Sequence, residues 1–143
     1  MAKKPTLTIA IPVYNEAAEL SESIGMLVTY LRAKLADFLW EVVIADNAST
    51  DATFSIAKNI AGKYTNVRAV HLDQKGRGRA VKQVWRESKS DVVAYMDVDL
   101  SSDLKNFPPL VRSLLRGYDI AIGTRNARGA RVYGRSTIRN ITS

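Results

Sequence analysis

Asp97 and Asp99 stand one valine apart at the end of an apolar run, Val92 to Met96. In an extended backbone, residues two apart point to the same face, so this spacing predicts two carboxylates side by side. Neighbouring anions call for a cation. A hard divalent ion that divides its coordination between a few carboxylates, waters and a bound diphosphate satisfies them. The plainer reading of D-x-D, one aspartate capping a following helix, loses ground because the pair directly follows a strand. Lys75-Gly76-Arg77-Gly78 precedes a helical pattern, so backbone amides, the positive end of a helix dipole and cationic side chains are available there to a phosphate. The plainer reading is a loop with its cations in water. The absence of a third glycine argues against a dinucleotide fingerprint. Asp46 follows a second apolar run, a location suited to accepting hydrogen bonds from a base or ribose, whereas Asp51 fits a helix N-cap better. Asn15 and Glu16 follow Pro12 and Tyr14 at the end of the first run, where Glu16 has the alternative of capping the first helix. His71, the lone histidine, reads as a packing residue.

These groups need elements to hold them. Leu7 to Val13 is a short β-rich run, and Leu20, Ile24, Leu27, Val28, Leu31 and Leu35 then recur at helical spacing. Glu41 to Ala45 predicts a second strand, and Phe54, Ala57, Ile60 and Ala61 a helical face ending near Gly62. Val67 to Leu72 predicts a third strand, followed by a helix carrying Ala80, Val81, Val84 and Trp85. After the fourth run, Pro108 and Pro109 suit the first turn of a helix and Gly117 its C-terminal cap. Asp119 to Gly123 predicts a fifth strand. Short Val/Ile/Leu-rich strands alternating with helices indicate βαβ units and a buried parallel sheet, so the class is α/β. In such sheets the ligand crevice lies beyond the carboxyl ends of the strands, and all four polar clusters fall there.

Length and composition set bounds. The 143 residues, 46% hydrophobic and 24% charged, suit one globular domain. There is no cysteine, which excludes disulfides and thiolate metal sites and leaves oxygen ligands, favouring magnesium or manganese. No signal-like or membrane-spanning run of roughly 18 apolar residues occurs. The net charge of +7 predicts an anionic partner, and it is concentrated in two places. Six basic residues stand against Glu87 between Lys75 and Lys89, and seven arginines against Asp119 between Arg112 and Arg139.

Taken in order, I-P-V-Y-N-E (11 to 16), A-D-N-A-S-T-D-A-T (45 to 53), K-G-R-G-R-A (75 to 80), M-D-V-D-L (96 to 100) and I-G-T-R (122 to 125) resemble family 2 glycosyltransferases, in particular the branch that serves dolichyl and polyprenyl phosphates. The resemblance implies a GT-A fold, a Rossmann-like, mostly parallel sheet flanked by helices. It implies transfer, with inversion, of a hexose from a nucleotide sugar, GDP-mannose or UDP-glucose, to a polyprenyl or dolichyl phosphate. On this resemblance Pro12, Tyr14, Asn15, Glu16, Asp46, Lys75, Gly76 and Asp97 are expected at the nucleotide sugar. Asp97 and Asp99 are expected to bind Mg2+ or Mn2+. Some relatives carry a further metal-binding glutamine where this sequence has Ser101. Arg125 and Arg139 resemble arginines that handle phosphate near the acceptor, and with Asp97 and Asp99 they complete the expected catalytic set.

The family's catalytic domains continue past the point matching Ser143. Residues 1–143 are therefore expected to be the N-terminal, donor-binding portion of a C-terminally truncated catalytic domain, with the acceptor part incomplete. Such a chain would bind nucleotide but transfer sugar poorly. A lipid-phosphate acceptor implies a cytoplasmic protein peripheral to the cytosolic face of a membrane, contacting it through further segments. Two other classes fit the residues less well. A nucleotidyltransferase is expected to carry a glycine-rich basic loop after the first strand, where this sequence has Tyr14-Asn15-Glu16. A nucleic-acid-binding module accounts for the charge but not for the acidic pair, and no aromatic stacking pattern supports it. No nucleic-acid partner is expected.

Overall fold

A computed structural model describes residues 3–124. Four strands, β1 (Thr6–Val13), β2 (Leu39–Asn47), β3 (Val67–Leu72) and β4 (Val92–Tyr95), form one sheet in the order β3-β2-β1-β4, every neighbouring pair parallel. Helices α1 (Leu20–Lys34), α2 (Thr53–Lys63) and α3 (Arg77–Glu87) make the crossovers, and a 3-10 turn (Leu104–Asn106) leads into α4 (Phe107–Leu115). Parallel strands cannot be joined by tight turns, and this is why each pair is bridged by a helix.

Alternation along the strands builds two cores. Leu7, Ile9, Ile11 and Val13 of β1, with Val42 and Ile44 of β2, pack against Leu20, Ile24, Leu27 and Leu31 of α1, Ala57 and Ile60 of α2 and Val111 of α4. On the other face, Ala10, Val43, Ala45 and Leu72 meet Ala80 and Val84 of α3. The small side chains there bring α3 close to the sheet. Beyond them on that face, Thr8 is buried, and its hydroxyl bonds to Glu41, Ser88 and Ser90. With α1, α2 and α4 on one face and α3 on the other, the strand order reverses between β1 and β4, the place where open α/β sheets bind ligands.

Several boundaries differ from the sequence expectation. β2 runs on through Asn47, so Asp46 lies inside the strand, paired with Val13 on one side and His71 on the other. β4 stops at Tyr95, and Asp97-Val98-Asp99-Leu100 is a turn closed by Leu100 N–H donating to the Asp97 carbonyl at 3.2 Å, not an extended segment. Val98 is drawn into the core at 6% exposure, and that anchoring leaves Asp97 and Asp99 on the solvent side. Arg77 and Gly78 belong to the first turn of α3 rather than to the loop before it. α4 carries its prolines in its first turn, and Gly117, at φ 104°, follows its C-cap as expected. The fifth strand does not form. Ile120 and Ile122 are 79% and 75% exposed, because no described strand lies alongside to pair their backbone.

Replacing Leu31, fully buried between α1 and the sheet, with alanine is expected to cost about 2–5 kcal/mol of stability. Leu115→Ala, at a 48% exposed position, should stay within about 0.5 kcal/mol. Urea denaturation of the two variants checks the contrast.

Candidate functional site

Three loops meet at the carboxyl end of the sheet, and each contains a residue in the left-handed backbone region: Asn15 after β1 (φ 52°), Ala48 after β2 (φ 56°) and Leu100 after β4 (φ 49°). Among the described residues no other non-glycine position adopts it. Such conformations persist only where surrounding contacts over-determine them, and they gather at functional sites. Here the contacts are visible. The Asn15 side chain accepts from Thr50 N–H at 2.9 Å and donates to the Thr50 hydroxyl at 3.2 Å, while Asn15 N–H donates to Ser49 Oγ at 2.9 Å. Glu16 N–H donates to buried Thr53 Oγ1 at 2.9 Å. Asp51, one residue before the N-cap Ala52 rather than at the N-cap expected from the sequence, accepts from Thr53 N–H at 2.9 Å at the start of α2. Asn15 therefore spends its side chain tying the first loop to the second.

Pro12 is buried in β1 opposite Ala45. β4 pairs with β1 only as far as Ala10, so the missing proline N–H falls beyond that ladder. Tyr14 presents its ring to Lys75, whose Nζ sits 3.7 Å from the ring centroid, a cation–π contact that positions the lysine at the crevice. Gly76 N–H donates to Asn47 Oδ1 at 2.6 Å. Asn47 is a buried side chain at the last position of β2, and this bond fixes the start of α3 against the sheet.

Asp46 is fully buried. Its Oδ2 shares a 2.6 Å hydrogen bond with His71 Nδ1, and Oδ1 has no partner among the described residues. A buried carboxylate oxygen left open is costly unless a donor reaches it, and the N–H groups of a nucleobase or the hydroxyls of a ribose are donors of the right kind. His71 in turn packs against the Phe54 ring, centroids 4.9 Å apart. The histidine does pack, as read from the sequence, and it also holds Asp46 in place.

Asp97 accepts a hydrogen bond from Arg77 through Oδ1, and Asp99 accepts one from Ser101 N–H at 3.0 Å. The second oxygen of each carboxylate has no protein partner among the described residues. Nowhere among those residues do three or more His, Cys, Asp or Glu side chains gather into a complete cage. Two exposed or half-exposed aspartates with free oxygens nonetheless suit a hard divalent cation that completes its shell with water and a ligand's phosphates. Glu16 belongs to the same acidic neighbourhood. Its pKa is raised above the ordinary 4.5 by partial burial first, then by the charges of Glu19, Asp99 and Asp51. On the far side of Arg77, a groove of about 580 Å³ runs between α3 and the outer edge of β4 over Val81, Trp85 and Tyr95. It contains none of the carboxylates.

The sequence did not single out Asn47, Thr53 or the pairing of Arg77 with Asp97. Asn47 ends β2 and Thr53 begins α2. Thr53 faces the loop after β1 and Asn47 the loop after β3, and these juxtapositions are visible only once the strand order is known. Arg125 and Arg139 lie outside the described residues.

The glycosyl transferase family 2 model matches residues 8–141. The chain belongs to that family. A glycosyltransferase (AglD) of Haloferax volcanii is 31% identical over 83% of this chain and 19% of its own length. A dolichol-phosphate mannosyltransferase of Pyrococcus furiosus is 32% identical over 88% of this chain and 35% of its own length. A dolichyl-phosphate beta-glucosyltransferase (ALG5C) of Trichomonas vaginalis is 26% identical over 92% of the chain. The chain thus spans about a third or less of the first two relatives. Among solved structures, a mannosyltransferase from Pyrobaculum calidifontis in complex with GDP-Man and Mn2+ is similar with a TM-score of 0.64 and 25% identity, covering 78% of this chain and 33% of that one. The family 2 fold of this chain is therefore the GT-A type, and the glycosyltransferase resemblance read from its motifs holds.

Two outcomes test the site. Because the folded pKa of Glu16 lies above its unfolded value, its contribution to stability is full below about pH 4.5 and is lost as pH rises through the folded value. Glu16→Gln should therefore melt higher than the parent at pH 7.5 and together with it at pH 4, read by thermal denaturation. Asn47→Ala leaves Gly76 N–H without its acceptor and should cost about 1–3 kcal/mol in the same assay.

Proposed function

We propose that this chain is the donor-binding part of an inverting, cation-dependent hexosyltransferase that moves a hexose from GDP-mannose or UDP-glucose onto a polyprenyl or dolichyl phosphate. The observation that carries the reading is the pair Asp97 and Asp99, held on the solvent side by buried Val98 beside the basic first turn of α3. The open oxygen of buried Asp46 at the neighbouring strand end supports it. The names of the relatives support the acceptor class, and the GDP-Man and Mn2+ in the Pyrobaculum neighbour support the donor class and cofactor type.

Each group has a physical task. Asp46 accepts a donor from the base or ribose through its free Oδ1, with His71 keeping the carboxylate in place. Tyr14 and Lys75 line the crevice at the nucleotide, and Lys75 and Arg77 offer positive charge to its diphosphate. Asp97 and Asp99, with Ser101, would hold Mg2+ or Mn2+, which when bound would neutralise the charge developing on the departing diphosphate. A phosphate monoester has a second pKa of about 6, so a lipid-phosphate acceptor arrives already ionised and needs no general base from the protein. The enzyme must instead hold two anions together, and Arg125 and Arg139 are assigned to the acceptor phosphate. Among the described residues no helix is long and apolar enough to cross a membrane. In this proposal the protein meets the lipid acceptor at the cytosolic surface of the bilayer.

Calorimetric titration of UDP, GDP, UDP-glucose and GDP-mannose, each with and without Mn2+, tests the reading on this chain and on an Asp97→Ala, Asp99→Ala variant. The expected result is Mn2+-dependent binding of one nucleotide family, weakened at least about tenfold in the variant. Binding that ignores both Mn2+ and the two aspartates would overturn it.

A further inference from the structure

The basic segment at the start of α3 does not commit its charges evenly. Lys75 lies over the Tyr14 ring and Arg79 donates to the neutral Gln74 side chain, whereas Arg77 donates to Asp97, the first aspartate of the acidic pair. Arg77 is the first residue of α3, and the Gly76 N–H bond to buried Asn47 fixes that helix start, so the guanidinium is presented to Asp97 by an anchored backbone. Both side chains are about half exposed, at 57% and 45%. Exposed ion pairs of this kind are weak and exchange readily. A guanidinium carries five N–H donors in a fork that matches phosphate oxygens, and Asp97 is its one side-chain partner among the described residues.

We propose that Arg77 is a stand-in counter-ion for Asp97 in the ligand-free chain, and that it swings from the carboxylate to the donor's diphosphate when nucleotide and cation arrive together. The inference rests on the donor-site reading above. Its consequence is a coupling. A bare divalent cation has to compete with Arg77 for Asp97, so the empty site binds it poorly. A cation accompanied by a nucleoside diphosphate meets no such competition, because Arg77 exchanges one anionic partner for another and gains charge-assisted hydrogen bonds to phosphate. Nucleotide and cation therefore strengthen each other's binding, and the reciprocity is required by linkage. The exchange also keeps the acidic pair partly neutralised in the ligand-free state, where Glu16 and Asp51 add to the local negative potential.

The test is Mn2+ binding to the 143-residue chain, followed by the electron paramagnetic resonance signal of free Mn2+, in parallel with calorimetric titration of UDP and GDP in excess Mn2+. The proteins are the parent, Arg77→Gln, Arg77→Lys and Asp97→Asn, with circular dichroism to verify that each is folded. In Arg77→Gln, bare Mn2+ should bind about two- to fivefold tighter because its competitor is gone. The nucleotide should bind about tenfold weaker because its phosphate partner is gone. Arg77→Lys, which keeps the charge but not the fork, should fall between. A residue needed only for structure would move both affinities in the same direction. Movement in the same direction, or an unchanged Mn2+ affinity, overturns the proposal while leaving the donor site standing. If the folded parent binds no nucleotide with Mn2+, or Asp97→Asn binds as the parent does, the donor-site reading fails and this inference fails with it.

Discussion

Everything at the site depends on β1 being paired in parallel on both of its edges, to β2 and to β4. A parallel neighbour can be reached only through a helix laid across a face of the sheet, and such crossovers have one favoured hand. A strand that gains one neighbour on each side must then send its crossovers to opposite faces. α1 and α2 pack on one face and α3 on the other, and the loops leaving β1 and β4 diverge. The crevice is what that divergence leaves open. Its walls are the loops holding Asn15 and Glu16 on one side and Asp97 and Asp99 on the other.

The electrostatics of the crevice follow from which groups these loops can reach. Partial burial first, and then the charges of Glu19, Asp99 and Asp51, raise the Glu16 pKa, while Lys75 and Arg77 come in from the α3 side. Opposite charges at this spacing are of little use to stability when exposed. Asp46 is the exception in burial, a carboxylate at the end of a central pair of strands with one oxygen held by His71 and one open. A fold that leaves such an oxygen unpaired gives up stability in the free state, which a ligand donor can return on binding.

The order of strands and helices, the α/β class and the parallel sheet were legible because hydrophobic periodicity and proline and glycine placement are local properties. Pro108, Pro109 and Gly117 marked the ends of α4 without reference to anything distant. The five motifs were likewise legible as a family resemblance, and the family match over residues 8–141 agrees with it. Asp119 to Gly123 failed for the corresponding reason. Its alternation is that of a strand, but a strand exists only with a neighbour, and no described segment supplies one.

The amino-acid sequence by itself determined which residue types stand at the carboxyl end of each strand, since alternation and turn chemistry act over a few neighbouring residues. It also determined that Asp97 and Asp99 flank an apolar residue, but not that burial of Val98 in a turn is what exposes them. Only the tertiary structure decided who meets whom. Asp46 with His71, Asn15 with Thr50, Gly76 with Asn47 and Arg77 with Asp97 are pairs separated by 20 to 35 residues, set by strand order and register. Contacts at that separation are chosen by the packing of the sheet and its helices, and no local pattern in the chain encodes them.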